Sequence, residues 1–401
     1  MPIGITTPRG FTAAGGTCGI KPSGAPDLTL IVCDSPCTAA GVFTKNKLPG
    51  APVVISKRHV RRGRARAIVC NSGVSNVGTG AQGLRNAIAM CQTTAQVVGC
   101  DPHEVLVCST GVIGHQLPIE KIVAGIPKLA EQLHAGASAD AHAARSIMTT
   151  DLVPKSAGLT VRVGGKPVTL AGIAKGSGMI APNMATMLVF ITTDATITAP
   201  MLRAALRVAV NQSFNRLSVD EDTSTSDSVL VLASGAAGPR IATQGAAYNA
   251  FVKGLTTLCQ DLAYQIVKDG EGATKVFRVV VRRARTARDA DRVGKAAVGS
   301  PLVKTAVHGG DPNWGRLIMA IGKSGAACSF DKLTVSVGDI PVYRRGAPVE
   351  HDAATLARIE AAMREKEITF TLDLGQGHAA ATWLGCDLSR EYITINADYT
   401  T

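Results

Sequence analysis

The sequence predicts a mixed α/β (α+β) protein in which stacked β-sheets are covered by helices, in αββα layers. The first observation is a set of short apolar runs, such as residues 28–32, 105–108 and 229–232, whose content indicates strands buried on both faces. The second is that stretches with apolar residues at helical spacing, such as residues 246–268, stand between these runs. A strand buried on both faces needs cover on both, and a second sheet together with helices provides it.

In the first half of the chain, predicted strands alternate with turns and helices. Gly99 ends the first long helix, and Gly164-Gly165 supplies the turn of a hairpin. The predicted elements are strands at 28–32 and 67–69, a helix at 84–98, a strand at 105–108, a polar helix at about 139–148 and hairpin strands at 159–163 and 167–170.

The second half continues the alternation. Thr198-Ala199-Pro200 combines a capping residue with an early proline and therefore opens a helix. The further predicted elements are a strand at 229–232, a helix at 246–268, a strand at 276–281 leading to a helix capped near Thr286, hairpins around Val335 and Thr369, a helix at about 352–366 and a final strand at 392–395.

Composition indicates a packed enzyme-like chain. Its 401 residues suffice for two typical domains or one large duplicated one, and 46% of them are apolar. No apolar run reaches the roughly 18 residues of a membrane span, and we expect neither a membrane protein nor a secretory signal. The ten cysteines form no C-x-x-C pair and most stand in apolar runs. They predict buried thiols in a reducing, cytoplasmic setting and no metal site.

The net charge of +12 comes largely from two basic clusters, one between Lys57 and Arg66 and one between Arg278 and Arg292. No interleaved aromatic residues offer stacking platforms for bases, and no helix-turn-helix, zinc-finger or RNP-like pattern accompanies the clusters. We therefore expect no nucleic-acid partner. The clusters are interpreted as solvated faces whose positive field attracts small anionic substrates.

A glycine-rich segment before Thr186 carries the first chemical signal. Gly176, Gly178 and Ala181 have the spacing of a dinucleotide fingerprint, but Pro182 and a β-rich run follow where that fingerprint needs a helix. Two interpretations stay open: a tight turn that enters a core strand, and a self-cleaving site. In the second, cleavage before Thr186 would create an N-terminal hydroxyl nucleophile with its own amine as base.

Two further polar runs are candidates. Ser109-Thr110-Gly111 ends a predicted strand, where the Thr110 hydroxyl and the Gly111 N–H could both face one oxyanion. Asp220-Glu221-Asp222 resembles the start of a calcium loop, but Thr225 replaces its glycine and Val231 its bidentate Glu. That run is interpreted as a capped turn.

Long motifs spread over nearly the whole chain resemble one family, the ornithine acetyltransferases (ArgJ, glutamate N-acetyltransferase) of arginine biosynthesis. Their common feature is that they occur in a single order. They are residues 40–46, 109–114, 148–151, 175–188, 222–227 (Asp222-Thr223-Ser224-Thr225-Ser226-Asp227), 269–275, 310–316 (Gly310-Asp311-Pro312-Asn313-Trp314-Gly315-Arg316) and 395–401. The resemblance implies a DmpA/ArgJ-like arrangement of the stacked sheets. The chain departs from the family pattern at Val74 and Gly78, which stand where relatives usually carry Asn and Cys.

The resemblance implies a self-processing enzyme. Cleavage between Ala185 and Thr186 would give an α chain of residues 1–185 and a β chain of residues 186–401, which stay together as an α2β2 assembly. Thr186 would take the acetyl group from N2-acetyl-L-ornithine and pass it to L-glutamate, with Thr110 and Gly111 as the oxyanion hole. The implied substrate contacts are Thr149, Lys175, Thr186, Glu271, Asn396 and Thr401.

Three questions are left open by the resemblance. Thr150 stands next to Thr149, and either residue could contact the substrate. No cofactor is implied, but acetyl-CoA remains open as a second acetyl donor. The alternative function is a related self-processing amidohydrolase or aminopeptidase, in which water rather than glutamate takes the acyl group.

Overall fold

The computed structural model describes residues 3–181 and 187–398. Within these ranges the strands are β1 Phe11–Gly16, β2 Leu28–Phe43, β3 Arg64–Val74, β4 Val105–Val112, β5 Lys155–Val163, β6 Lys166–Lys175, β7 Leu188–Ile197, β8 Leu217–Ser218, β9 Ser228–Ile241, β10 Val276–Ala284, β11 Thr334–Val337, β12 Ile340–Arg344, β13 Ala347–Pro348, β14 Glu367–Asp373 and β15 Ala379–Cys386. The helices there are α1 Ala51–His59, α2 Gly80–Val98, α3 Ile119–Ala130, α4 Ala137–Ser146, α5 Ala199–Asn211, α6 Ala246–Lys268, α7 Ala287–Val298, α8 Pro301–Gly309, α9 Trp314–Lys323, α10 Ala353–Arg364 and α11 Arg390–Asp398.

The first sheet has the strand order β4-β3-β2-β9-β7-β6-β5, with β1 added on β2. Its long strand β2 pairs with β3 through its first part and with β9 through its second part. The pairing with β3 is interrupted between Val32 and Cys37, where the register shifts. A register shift of this kind bends a strand. The bend in β2 divides the sheet into two halves.

These two halves are stacked on each other. Ile68 of β3 and Phe190 of β7 meet in one core between the halves. Their sequence neighbours point the opposite way: Val69 packs beneath the helices α1, α2 and α3, and Ile191 packs beneath α5 and α6. Successive side chains of a strand alternate between its faces, so each half is covered by a sheet on one side and by helices on the other. The predicted αββα layers are confirmed.

The second sheet has the order β13-β12-β11-β14-β10-β15-β8 and a core of its own. The helices α7, α8, α9 and α10 contribute to this core. Its central strand β10 pairs parallel with β14 and antiparallel with β15. The hairpin predicted around Thr369 is therefore wrong, because the apolar strand β10 inserts between β14 and β15, and Thr369 stands opposite Arg278.

The predicted final strand at 392–395 is also wrong, because these residues lie in the helix α11. Tyr392 and the residues after it favour strands by propensity, but propensity yields to tertiary contacts. Here Asn396 donates its side-chain N–H to the Tyr392 carbonyl one turn earlier (2.9 Å) and to the Glu271 carboxylate (2.9 Å). The other long helices are confirmed; α6 has the predicted limits, and Thr286 caps α7 by accepting from the Asp289 amide.

The basic clusters and the cysteines lie as expected. Most of the clustered side chains are exposed, although Arg66 is half-buried and donates to the Cys33 carbonyl (2.7 Å). All ten cysteines are free thiols and seven of them are buried, whereas Cys328 is exposed. Among the helices of residues 3–181 and 187–398, none is long and apolar enough to cross a membrane.

One edge of the first sheet concerns function. The strands β3, β4 and β6 end there, and β7 and β9 begin there, as shown by the pairs Gly73–Gly111, Lys175–Leu188 and Leu188–Ser228. The segment that joins β6 to β7 contains Ala185 and Thr186, which lie outside the described residues, as does Thr401.

Candidate active site

A cavity of about 370 Å³ opens at this edge of the first sheet. Every implied site residue that the structure describes lines it, namely Thr110, Gly111, Thr149, Lys175, Glu271 and Asn396. Thr150 lines it as well. Residues that are up to 286 positions apart in the sequence, from Thr110 to Asn396, are thus brought together by the fold.

The strand end at Thr110 and Gly111 forms one wall. Thr110 is buried, and Gly111 has a φ of +127°, which side chains other than glycine rarely adopt. A Cβ at Gly111 would lie 2.3 Å from the carbonyl carbon of Gly73 on the neighbouring strand. Gly111 must therefore be glycine so that the ends of β3 and β4 can approach each other closely.

Lys175 supplies the positive charge of the cavity. It is the last residue of β6, and its side chain is only 4% exposed. Its ammonium donates to the Thr149 hydroxyl (2.7 Å) and lies 3.9 Å from the Asp151 carboxylate. Burial lowers the pKa of Lys175, while the Asp151 charge opposes that effect. Of the two neighbouring threonines, Thr149 is the one whose hydroxyl contacts this cation.

A buried network of charges holds the wall in place. The Lys155 ammonium donates to Asp151 and to Asp269, at 2.6 Å each, and Asp151 also accepts from the Gly176 amide (2.7 Å). Burial opposes ionisation of Asp151, but the charges of Lys175 and Lys155 and the amide hydrogen bond outweigh it and lower its pKa to about 2. Asp151 is therefore a carboxylate over the whole ordinary pH range.

Glu271 supplies the negative charge on the other side. It is 8% exposed, its amide donates to the Ser177 carbonyl (2.9 Å), and its carboxylate accepts from Asn396 (2.9 Å). A Cβ at Gly178 would lie 2.2 Å from a carboxylate oxygen of Glu271, so glycine is needed for the two to approach. Through Asn396, the helix α11 docks its C-terminal part against the site.

Asp220 is a cavity residue to which the sequence analysis assigned no role in the site. Its carboxylate accepts from the amides of Met179 (2.6 Å) and Ile180 (2.7 Å). Burial raises the pKa of Asp220 to about 6. Met179 has a φ of +57°, an uncommon value for a residue that is not glycine. The sequence carries no signal for the contact between Asp220 and Met179, because these residues are about 40 positions apart.

The lining also includes residues that the implied set lacked. They are Ser75, Ile113, Gly178, Met179, Asp220, the segment 222–226 and Tyr392. Ser75 stands between the departures Val74 and Gly78, which themselves are not part of the lining. Within residues 3–181 and 187–398, no group of three or more His, Cys, Asp or Glu residues is placed to hold a metal ion.

The arrangement suits a small molecule that carries both charges. The Lys175 ammonium can bind a carboxylate, and the Glu271 carboxylate can bind an ammonium group. The fold and the cavity thus define an α/β enzyme with stacked sheets that acts on a small charged substrate.

Comparison with known proteins agrees with this class of enzyme. The ArgJ family model matches residues 12–401. The "Arginine biosynthesis bifunctional protein ArgJ" of Symbiobacterium thermophilum is 47% identical over 99% of this chain and 98% of its own length, and that of Dehalococcoides mccartyi is 46% identical over 99% and 97%. The crystal structure of the ornithine acetyltransferase from Mycobacterium tuberculosis, complexed with ornithine, is 40% identical over 45% of this chain and 94% of that chain, with a TM-score of 0.41. The chain belongs to the ArgJ family of arginine-biosynthesis enzymes.

Proposed function

We propose that the protein moves the acetyl group of N2-acetyl-L-ornithine to L-glutamate through an acetyl ester of Thr186. The observation that carries the proposal is the cavity, in which Thr110, Gly111, Lys175 and Glu271 meet at the edge where β7 begins. Thr186 is bonded to Met187, the residue just before β7. The full-length match to ArgJ relatives supports the same reaction.

The first chemical event in this proposal is cleavage between Ala185 and Thr186. The first sheet supports continued association of the two products, because it takes β1 to β6 from residues 1–185 and β7 and β9 from residues 186–401. The pieces would remain paired along β6–β7 and β2–β9. We propose that two such pairs form an α2β2 assembly.

Acyl transfer then follows from the chemistry of an N-terminal threonine. Its α-amine has a pKa of about 7.7–8.0, so a useful fraction is unprotonated near neutral pH and accepts the hydroxyl proton. The hydroxyl oxygen bonds to the acetyl carbon, and the oxyanion that forms is stabilised by the Thr110 hydroxyl and the Gly111 N–H. Collapse breaks the C–N bond, and ornithine leaves with the proton. The amine of glutamate attacks the ester in turn, and its nitrogen bonds to the acetyl carbon. The C–O bond to Thr186 breaks, and the proton lost by the glutamate nitrogen passes through the Thr186 amine to the hydroxyl oxygen, which releases N-acetylglutamate and restores the threonine.

Binding of the substrate is assigned to the two charges of the cavity. Lys175 would bind the α-carboxylate and Glu271 the side-chain ammonium group of acetylornithine. We propose Thr149, Asn396 and Thr401 as the further contacts. We assign no cofactor to the reaction. We also propose a cytoplasmic location, because the buried free thiols suit a reducing compartment.

Replacing Thr186 by Ala tests the nucleophile. The wild-type protein should show two bands, the second with the N-terminal sequence Thr-Met-Leu-Val, and the T186A protein one band and no transfer. Cleavage in T186A would refute the assignment, and an intact wild-type chain that turns over acetylornithine would refute self-processing.

The ratio of acetylglutamate formed to acetate released separates the transferase from the alternative amidohydrolase or aminopeptidase. A transferase gives mainly acetylglutamate when glutamate is present, and a hydrolase gives mainly acetate. Incubation with acetyl-CoA and glutamate, without acetylornithine, decides whether acetyl-CoA also serves as a donor.

A further inference from the structure

Four buried side-chain atoms in the described part of the chain lack a hydrogen-bond partner there: Thr94 Oγ1, Thr225 Oγ1, Asp227 Oδ2 and Thr256 Oγ1. Thr94 and Thr256 lie within the helices α2 and α6. The other two are different, because Thr225 lines the cavity and Asp227 follows directly after the cavity-lining segment 222–226. A buried polar atom without a partner is costly, and two on one functional segment require an explanation.

Asp227 directly precedes β9 and lies beside the start of β7. Its side chain is fully buried, and its Oδ1 accepts from the Met187 amide (2.8 Å). Its backbone is held as well, because its carbonyl accepts from the Thr44 amide (3.1 Å). Burial raises the pKa of Asp227 well above its usual value, against the Met187 hydrogen bond and the Lys175 charge. The carboxyl group is therefore fixed in position, and its second oxygen is available for a donor.

Thr225 is held by its backbone rather than by its hydroxyl. Its carbonyl accepts from the Gly50 amide (2.9 Å), and the preceding Ser224 carbonyl accepts from the Thr44 hydroxyl (2.7 Å). The segment is thus tied to the loop between β2 and α1. The Thr225 side chain lines the cavity while its hydroxyl remains without a partner among the described residues.

We propose that Asp227 and Thr225 are positioning residues that hold the N-terminal amine of Thr186, an inference that rests on the proposed function. The Met187 nitrogen, which donates to Asp227, is bonded to the carbonyl carbon of Thr186, and only the α-carbon separates that carbon from the Thr186 amine. Cleavage at Ala185–Thr186 creates an amine, which is a donor that needs acceptors. Oδ2 of Asp227 and Oγ1 of Thr225 are acceptors of that kind.

The proposed role is that of the residue that orients a catalytic base. The amine takes the proton of the Thr186 hydroxyl and becomes an ammonium group. Burial by itself favours the protonated form of Asp227, but a neighbouring cation favours the ionised form of a carboxyl group. The ammonium group and the Asp227 carboxylate therefore stabilise each other, and the proton stays on the amine. The titratable groups that line the cavity are Lys175, Asp220, Asp222, Glu271 and Tyr392, and they remain unchanged in the variants below.

The test compares Asp227→Asn, Thr225→Val and Thr225→Ser, with Thr256→Val as the control for loss of a buried hydroxyl elsewhere. Asp227→Asn preserves the shape but removes the group that can carry a negative charge beside the amine. We expect kcat of acetyl transfer to fall about 100-fold in D227N and about 10-fold in T225V, with KM for acetylornithine changed less than about 3-fold. T225S, which keeps the hydroxyl group, should recover kcat relative to T225V, and T256V should retain wild-type kcat.

The pH profile provides a readout that a purely structural role would not move. Activity rises as the amine loses its proton, and a nearby carboxylate raises the pKa of that amine. The acidic limb of kcat/KM should therefore shift to lower pH in D227N. The inference would be overturned if D227N kept both the acidic pH limb and the kcat of the wild type. It would also be overturned if T225V kept the wild-type kcat.

The controls separate this inference from the proposed function. An uncleaved, inactive wild-type chain would count against the proposed function itself. If the wild type is active, T186A is inactive, and both D227N and T225V are unaffected, the inference is overturned but the proposed function is not. If D227N does not fold, the comparison of T225V with T225S decides: loss of kcat in T225V with rescue in T225S supports the inference, and equal activity overturns it.

Discussion

Replacing Asp151 by Asn should lower the free energy of unfolding by about 2 to 5 kcal/mol, because Asp151 is an anion shared by two buried cations. Its carboxylate binds the Lys155 ammonium at 2.6 Å and lies 3.9 Å from that of Lys175. The Lys155 side chain is fully buried, and Asp269 would be its one remaining carboxylate partner among the described residues.

The magnitude follows from the ionisation of Asp151. Lowering its pKa from the usual 3.8 to about 2 corresponds to about 2.5 kcal/mol in favour of the folded state at neutral pH. Removing one partner of a buried ion pair costs about 3–5 kcal/mol when the remaining charge has no other partner. In D151N, Lys155 retains Asp269 as a partner, and asparagine can still accept a hydrogen bond. The expected loss of unfolding free energy therefore stays within about 2 to 5 kcal/mol.

The sign of the pH dependence is fixed as well. A carboxyl group whose pKa is lower in the folded state stabilises the protein above its unfolded pKa, near 3.8, and this stabilisation is lost as pH falls through about 2. The difference between wild type and D151N should therefore be constant from pH 7 to about 5 and should be reduced by roughly half of the 2.5 kcal/mol at about pH 3.

Urea unfolding monitored by circular dichroism measures this difference. Both proteins should carry Thr186→Ala, so that cleavage does not alter the comparison. Asp339→Asn is the matched control, because Asp339 is exposed in the turn between β11 and β12, and we expect a change within about 0.5 kcal/mol. An equal loss in D151N and D339N, or a difference that does not shrink between pH 5 and pH 3, would refute the reasoning.

Two glycine substitutions give further predictions. Gly178→Ala should raise KM for acetylornithine about 10-fold or more with little loss of thermal stability. The reason is that the new methyl group displaces the Glu271 carboxylate from Asn396, and that carboxylate is the mobile end of a side chain. An unchanged steady-state KM would contradict this account. Gly322→Ala should raise stability by about 0.5–1 kcal/mol without changing activity, since a Cβ at that exposed position in α9 meets no atom within 4 Å. Thermal unfolding decides the second case, and a lower midpoint would show that α9 does not tolerate a side chain there.

The regular elements show where sequence patterns suffice. The apolar periodicity of α6 was enough to predict both of its ends, and the capping threonine before α7 predicted where that helix begins. The pattern failed where pairing was not local. The strand partners of β14 and the helical form of α11 depend on contacts with β10 and with Glu271, which lie far away in the sequence.

The sequence by itself determined the layered α/β class, the family resemblance and the residue types of the cavity, such as Thr110 and Lys175, because these rest on local patterns and motifs. Only the tertiary structure decided that those residues share one cavity, that Asp151 is held ionised and that the pKa of Asp220 is raised to about 6. It also decided that Asp227 presents an oxygen without a described partner beside the start of β7. Burial and the distance between charges set these properties, and both depend on contacts between residues far apart in the sequence, such as Lys155 with Asp269 and Met187 with Asp227.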